Sequence, residues 1–280
     1  MDQPSVTLPH PLHPVPEEPA ATIAFLPAAL AEDCRTGSFI AIVRTREEFR
    51  RWLNASMPGL EGLQVEGLTG DPEVWAFAAQ GSAQIPLDVV LSEPATEFSA
   101  LYRLADVRIV RPVRVTIPAR PGFLKALRLA ASLQLPVRLL PGLPREEVVM
   151  ELLKAADFYL HDPMVEAPVE FFQSLFTAFR GLGGGTLWTF LEQDPAAFSH
   201  FDASGHPLHA ADFVQTHQTR LLNEGAECTT CRWQPLCAGY FKWPDPAYDC
   251  AGVKRLYASL ESAADEITRD LATQEMPSPS

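Results

Sequence analysis

Residues 85–140 read IPLDVV LSEPATEFSA LYRLADVRIV RPVRVTIPAR PGFLKALRLA ASLQLPVRLL. Three short runs in it, Leu87–Leu91, Val113–Ile117 and Pro136–Leu140, are apolar, rich in Val and Leu, and the length of buried strands. Between them, Phe98–Ala105 and Phe123–Leu133 carry helical spacing, with Leu124, Leu127 and Ala131 stacked on one side of the second. Strands that alternate with helices of ten to fifteen residues predict βαβ units, and βαβ units predict a parallel sheet.

The same rhythm extends outward. Upstream, Ala21–Pro27 and Ser38–Val43 read as strands, and Arg46–Leu53 as a helix with Phe49, Trp52 and Leu53 on one side. Residues 54–82 contain several Gly and Pro residues and mark a loose boundary, with one strand expected at Val74–Ala78. Downstream, Pro144-Arg145-Glu146-Glu147 opens a helix that runs to about Leu160. Proline in the first turn and acids beside it suit a helix start and its dipole. A further strand is expected at Phe158–His161 and a helix at Val169–Phe179. Three or four such units are too few for a closed eight-unit barrel. The expected fold class is therefore α/β, an open parallel sheet or partial (β/α) barrel, over residues 21–180.

In such sheets ligands bind beyond the carboxyl ends of the strands. That rule points to Ser92, Glu93, Pro118, Arg120, Gly142, His161 and Asp162, which form no recognised catalytic set. Asp88, Arg114 and Arg138 occupy strand positions from which they could pair; the plainer reading makes them solvent-facing or salt-bridged strand residues. Gly181–Gly185 reads GLGGG and lacks the spacing of a phosphate loop. It reads as the hinge into a second module, residues 181–280.

The chain has 280 residues, 47% of them hydrophobic, enough for a sizeable core. A net charge of −13 argues against nucleic acid or an anionic membrane as the main partner. No apolar run is long enough for a membrane-spanning helix, and no signal peptide is visible after Met1. Residues 1–20, with His10 and His13, read as a flexible leader.

Four of the five cysteines fall in Cys228–Cys250, CTTCRWQPLCAGYFKWPDPAYDC. The spacing is C-x2-C-x5-C-x12-C. Clustered thiolates suit zinc, copper(I) or iron–sulfur chemistry, and a reducing cytoplasm rather than a secreted disulfide framework. A four-cysteine iron–sulfur cluster, a structural zinc ion, and free or paired thiols all remain open at this point. The second half is no zinc knuckle, because Cys237 and Cys250 stand far apart. Cys34, the fifth, reads as structural. His200, His206 and His209 lie close before the run and read as loop residues or as an extra metal site.

The run Glu227-Cys228-x-x-Cys231-Arg232-Trp233-x-Pro235-Leu236-Cys237-x-Gly239-Tyr240 resembles the C-terminal SPASM domain of radical-SAM peptide-modifying enzymes. That resemblance covers about the last 90 residues. It implies one auxiliary [4Fe–4S] cluster on Cys228, Cys231, Cys237 and Cys250. A second auxiliary cluster of that family is not supported: Phe241 stands where one of its cysteines would be. The loop Phe201-Asp202-Ala203-Ser204-Gly205-His206-Pro207, which resembles the hairpin that carries its upstream cysteines, has none. The C-x3-C-x2-C motif that builds the S-adenosylmethionine-cleaving cluster is also missing.

The resemblance thus implies an accessory iron–sulfur protein without radical-SAM activity of its own, partnering a separate modifying enzyme and a peptide substrate. Trp233, Tyr240, Phe241 and Trp243 would shield the cluster and lower its potential. The alternatives are a zinc-stapled binding module and an enzyme whose catalysis lies in the α/β pocket. After Cys250, the spacing of Val253, Leu256, Leu260, Ala264, Ile267 and Leu271 predicts an amphipathic C-terminal helix.

Overall fold

A computed structural model describes residues 22–32, 34, 37–80 and 85–274. The leader with His10 and His13 lies outside the described residues. Among the described residues, eight parallel strands form one curled sheet, a half-barrel, in the order β7-β6-β5-β4-β3-β2-β1-β8. The strands are β1 (Ile23–Pro27), β2 (Ser38–Val43), β3 (Leu60–Glu66), β4 (Leu87–Val90), β5 (Val113–Pro118), β6 (Val137–Leu140), β7 (Val169–Glu170) and β8 (Phe198–His200).

From β1 to β7 the chain steps one strand at a time in one direction. Right-handed crossovers then put all the connecting helices on the same face. Leu63, Val65, Leu87, Val89, Val115, Val137 and Leu139 point to that face and are buried in the core. The helix Arg46–Leu53 shows how local sequence fixes such an element. Thr45 accepts from the Glu48 backbone N–H, and the Glu48 side chain accepts from the Thr45 N–H, closing both ends of a capping box. Phe49, Trp52 and Leu53 then bury its inner side.

Three sequence expectations are corrected. Val74–Ala78 belongs to a helix, Pro72–Ala78. Asp71 caps it by accepting from the Glu73 N–H, and Pro72 starts it, so the start signals outweigh the strand-forming Val, Trp and Phe. Phe158–His161 is the last turn of the helix Glu146–His161, whose hydrogen bonds continue to Asp162. Val169 opens not a helix but β7, and the helix begins at Phe172. The count of units also rises. β3 lies within the stretch read as a boundary, and β8 enters from beyond the glycine run and pairs with β1.

The other face of the sheet is apolar at β1 and β2, with Phe25, Ile40 and Ile42, and polar across β3–β7. Register aligns Gln64, Asp88 and Arg114 across β3–β5, and Thr116, Arg138 and Glu170 across β5–β7. Arg114 and Arg138 both donate to Asp88 Oδ2, at 2.9 and 2.6 Å, and Thr116 Oγ1 donates to Asp88 Oδ1 at 2.6 Å. After β7 the chain returns across this face, and Glu192 clasps both arginines from above. Two acids and two bases balance in charge, so each buried ion has a hydrogen-bonded partner of opposite sign.

The C-terminal helix Ala251–Gln274 packs on the helices Glu146–His161 and Phe172–Phe179. Its expected apolar spacing holds as far as Ala264, while Ile267 and Leu271 are exposed. Val253, Leu256, Leu260 and Ala264 are buried.

Candidate metal centre

Cys228, Cys231, Cys237 and Cys250 line one pocket together with Glu227, Trp233, Gln234, Gly239, Phe241, Lys242, Val253, Lys254 and Tyr257. Local structure brings each thiol there. Glu227–Thr230 is a single 3-10 turn, and the Cys231 N–H donates to the Cys228 carbonyl at 3.2 Å. That turn sets the first two thiols side by side. Gln234–Cys237 is one helical turn that stops at Ala238 and Gly239, both left-handed, at φ +47° and +75°.

This reversal folds the backbone N–H groups of Gly239, Tyr240 and Phe241 back toward the Cys237 sulfur. Successive N–H groups aimed at one point make a concavity that favours negative charge. Glycine suits 239 because of its left-handed backbone, and an added Cβ would sit 2.6 Å from Leu221 Cδ1, which would have to shift. The loop is pinned by the Trp188 indole N–H, which donates to the Ala238 carbonyl at 3.1 Å. The His217 ring lies at the Gly239 carbonyl, also at 3.1 Å. Cys250 sits immediately before the 24-residue helix, whose first N–H, that of Ala251, donates to Asp249 Oδ1 at 2.9 Å.

As free thiols Cys228, Cys237 and Cys250 are held neutral. Burial pushes Cys237 up to about 11 and Cys250 up to about 12, and raises Cys228. Charge of the opposite sign stands ready beside them. The Lys242 ammonium, nearly buried, meets Glu227 Oε1 at 2.6 Å, and Lys254 meets Oε2 at 2.6 Å. Burial acts to raise Glu227, yet hydrogen bonds from the two lysines and the Cys250 thiol hold it at about 2. It stays ionised and fixes both ammonium groups at the pocket wall.

Two buried polar atoms in the same wall have no hydrogen-bond partner among the described residues: the Trp233 indole Nε1 and the Tyr257 hydroxyl. Buried donors are seldom left unpaired, and these two are available to an acceptor bound in the pocket. Four soft thiols, two unpaired donors and two cations facing one space fit a sulfur-rich, negatively charged group. Among the described residues, no set of three or more His, Cys, Asp or Glu side chains is arranged to hold a metal ion. Tetrahedral zinc at about 2.3 Å from each sulfur would need the thiols drawn closely together on one point.

The other sequence candidates fall elsewhere. Cys34 packs partly buried against the core between β1 and β2. His200 stacks on Phe25 at 4.3 Å and contacts the Glu192 carbonyl at 2.7 Å, while burial lowers its pKa. His206 is exposed in its hairpin near Asp202. His209 stacks on Phe213 at 4.1 Å. The structure does not bring these histidines together with the cysteines. Arg120 pairs with Glu93 and with the Ser92 carbonyl at an exposed strand end. His161 meets Asp157 on the surface. Sequence reasoning missed Lys242, Lys254 and Tyr257; the i, i+3 placement of Lys254 and Tyr257 on the predicted C-terminal helix was the available signal.

No family model matches the chain, and no curated protein does. Two solved structures are similar in fold. Native anSMEcpe with bound AdoMet and the Cp18Cys peptide superposes at a TM-score of 0.53 with 10% identity, over 91% of this chain and 100% of that one. Hexahistidine-tagged anSMEcpe with bound AdoMet gives 0.51 and 11%, over 91% and 96%. At such identity the likeness speaks for the fold alone. No helix among the described residues is long and apolar enough to cross a membrane.

Proposed function

We propose that this chain is an accessory iron–sulfur protein, with residues 181–280 as a SPASM-like module around one [4Fe–4S] cluster. Cys228, Cys231, Cys237 and Cys250 would be its four ligands. The observation that carries the reading is the meeting of all four thiols on one pocket, with two unpaired buried donors in its wall. Four thiolates are the ligand set such a cluster takes, and bound there it would supply a one-electron redox centre or a structural staple.

The role beside a separate enzyme rests on two further points. The likeness in fold to anSMEcpe supports a context of peptide modification, since that structure holds both AdoMet and a peptide. Yet Cys34 is the sole cysteine outside the 228–250 run, so this chain cannot supply the three thiolates of a second, AdoMet-cleaving cluster. The accessory chain would relay electrons to its partner enzyme or present the peptide to it.

Cysteine-to-serine replacement tests the ligand set. Each of Cys228→Ser, Cys231→Ser, Cys237→Ser and Cys250→Ser is expected to reduce bound iron sharply in anaerobically prepared protein. Full iron in all four variants would defeat the assignment. Peptide modification by this chain alone with S-adenosylmethionine would contradict the accessory role.

A further inference from the structure

The unpaired donors in the pocket wall bear on what the cluster does. Tyr257 is fully buried, its ring boxed edge-on by Phe179 at 5.9 Å, Trp233 at 5.8 Å and Phe241 at 6.2 Å. Three aromatic walls leave the hydroxyl little freedom to turn away. It lines the cysteine pocket and has no hydrogen-bond partner among the described residues. Trp233 lies between Cys231 and Cys237 in sequence. The Arg232 guanidinium stacks on its ring at 4.3 Å, and Glu261 anchors that arginine at 2.5 Å, so the indole is held in place with its own N–H unpaired.

An unpaired hydroxyl or indole N–H buried in an apolar wall is destabilising, because it has given up its hydrogen bonds to water. At position 257 phenylalanine would fill the same space without that cost. The arrangement is accounted for when each donor meets an acceptor that arrives with the bound group.

Resting on the cluster reading above, we propose that the Tyr257 hydroxyl and the Trp233 indole N–H are hydrogen-bond donors to the sulfurs of the bound cluster and set its reduction potential. A donor on a cluster sulfur stabilises the reduced cluster more than the oxidised one, because the reduced form carries one more negative charge. Hydrogen bonds to the sulfurs are among the factors that set such potentials. The two donors therefore raise the potential that the surrounding aromatics depress. Lys242 and Lys254, fixed by Glu227 at the same wall, act in the same direction.

The test is a redox titration of anaerobically reconstituted wild type, Tyr257→Phe and Trp233→Phe, followed by visible absorbance and by electron paramagnetic resonance. Iron and sulfide are counted in each sample. Each variant is expected to load the cluster and to titrate at lower potential. A tenfold loss in the reduction equilibrium constant would read as about 59 mV for a one-electron couple. Melting of the metal-free proteins gives the second readout. Tyr257→Phe removes only an unpaired hydroxyl there, so metal-free stability should hold or rise while the loaded form's potential falls.

Unchanged potentials in both loaded variants would overturn the inference and leave the cluster reading standing. A Tyr257→Phe protein destabilised equally with and without cluster would also overturn its assignment, because its hydroxyl would then serve the fold. Wild type that takes up no iron would remove the cluster reading and this inference with it.

Discussion

Replacing Asp88 by Asn should destabilise the half-barrel more than any surface change of equal chemistry. Asp88 is the hub of the polar face: it accepts from Arg114, Arg138 and Thr116, and its side chain is 8% exposed. Arg138, at 5%, is as deeply buried. Asn keeps the shape and one acceptor but removes the charge, leaving two guanidinium groups facing Glu192 alone. Breaking a buried pair by removing one partner costs about 3–5 kcal/mol. Glu192 still contacts both arginines, and Arg114 is partly exposed, so the lower end applies, about 3 kcal/mol. For a chain of this size that corresponds to a melting temperature lower by about 6–12 °C. Urea denaturation followed by tryptophan fluorescence gives the free-energy difference directly. Glu93→Gln, which breaks the exposed pair with Arg120, is the control and should stay within about 0.5 kcal/mol of wild type. An Asp88→Asn protein as stable as that control would refute the closed network.

Gly239→Ala should cost about 1–3 kcal/mol and lower iron uptake, since the left-handed backbone is strained for alanine and its methyl meets Leu221; unchanged melting and metal content would contradict this. His200 is held below its usual 6.5 by burial first and by Arg138 second. The unfolded chain therefore binds its proton more readily, and stability, full above about pH 6.5, falls as pH drops below it. His200→Asn should flatten that part of the stability–pH curve, and an identical slope would count against the buried placement. Cys34→Ser should leave iron content at the wild-type level while Cys237→Ser loses it; the reverse result would mean a wrong fourth ligand.

The strands that sequence revealed most clearly, β4, β5 and β6, are those whose helix-facing residues are uniformly Val, Ile and Leu. β3 was hidden because its other face carries Gly62, Gln64 and Glu66, so no apolar run announces it. Those polar residues belong there because the inner face from β3 to β6 is built on hydrogen bonds, whereas β1 and β2 bring Phe25, Ile40 and Ile42 to it. β7 and β8 span two and three residues, too few for any periodicity to register. Val74–Ala78 misled because its composition suits a strand, while the decisive signal, Asp71-Pro72, lies just before it. At the candidate centre the four cysteines were legible from type and spacing alone. The wall around them was not: Lys242 and Tyr257 look like an ordinary loop lysine and an ordinary helix aromatic until folding buries them beside the thiols.

The central claim is that four thiols hold one cubane cluster. The most direct measurement is an iron, sulfide and zinc count on protein purified without oxygen, read with its visible spectrum. The account predicts a brown protein with about four iron and four sulfide per chain, the content of one [4Fe–4S] cluster. A colourless protein with one zinc per chain would contradict it and make the cysteine run a structural staple.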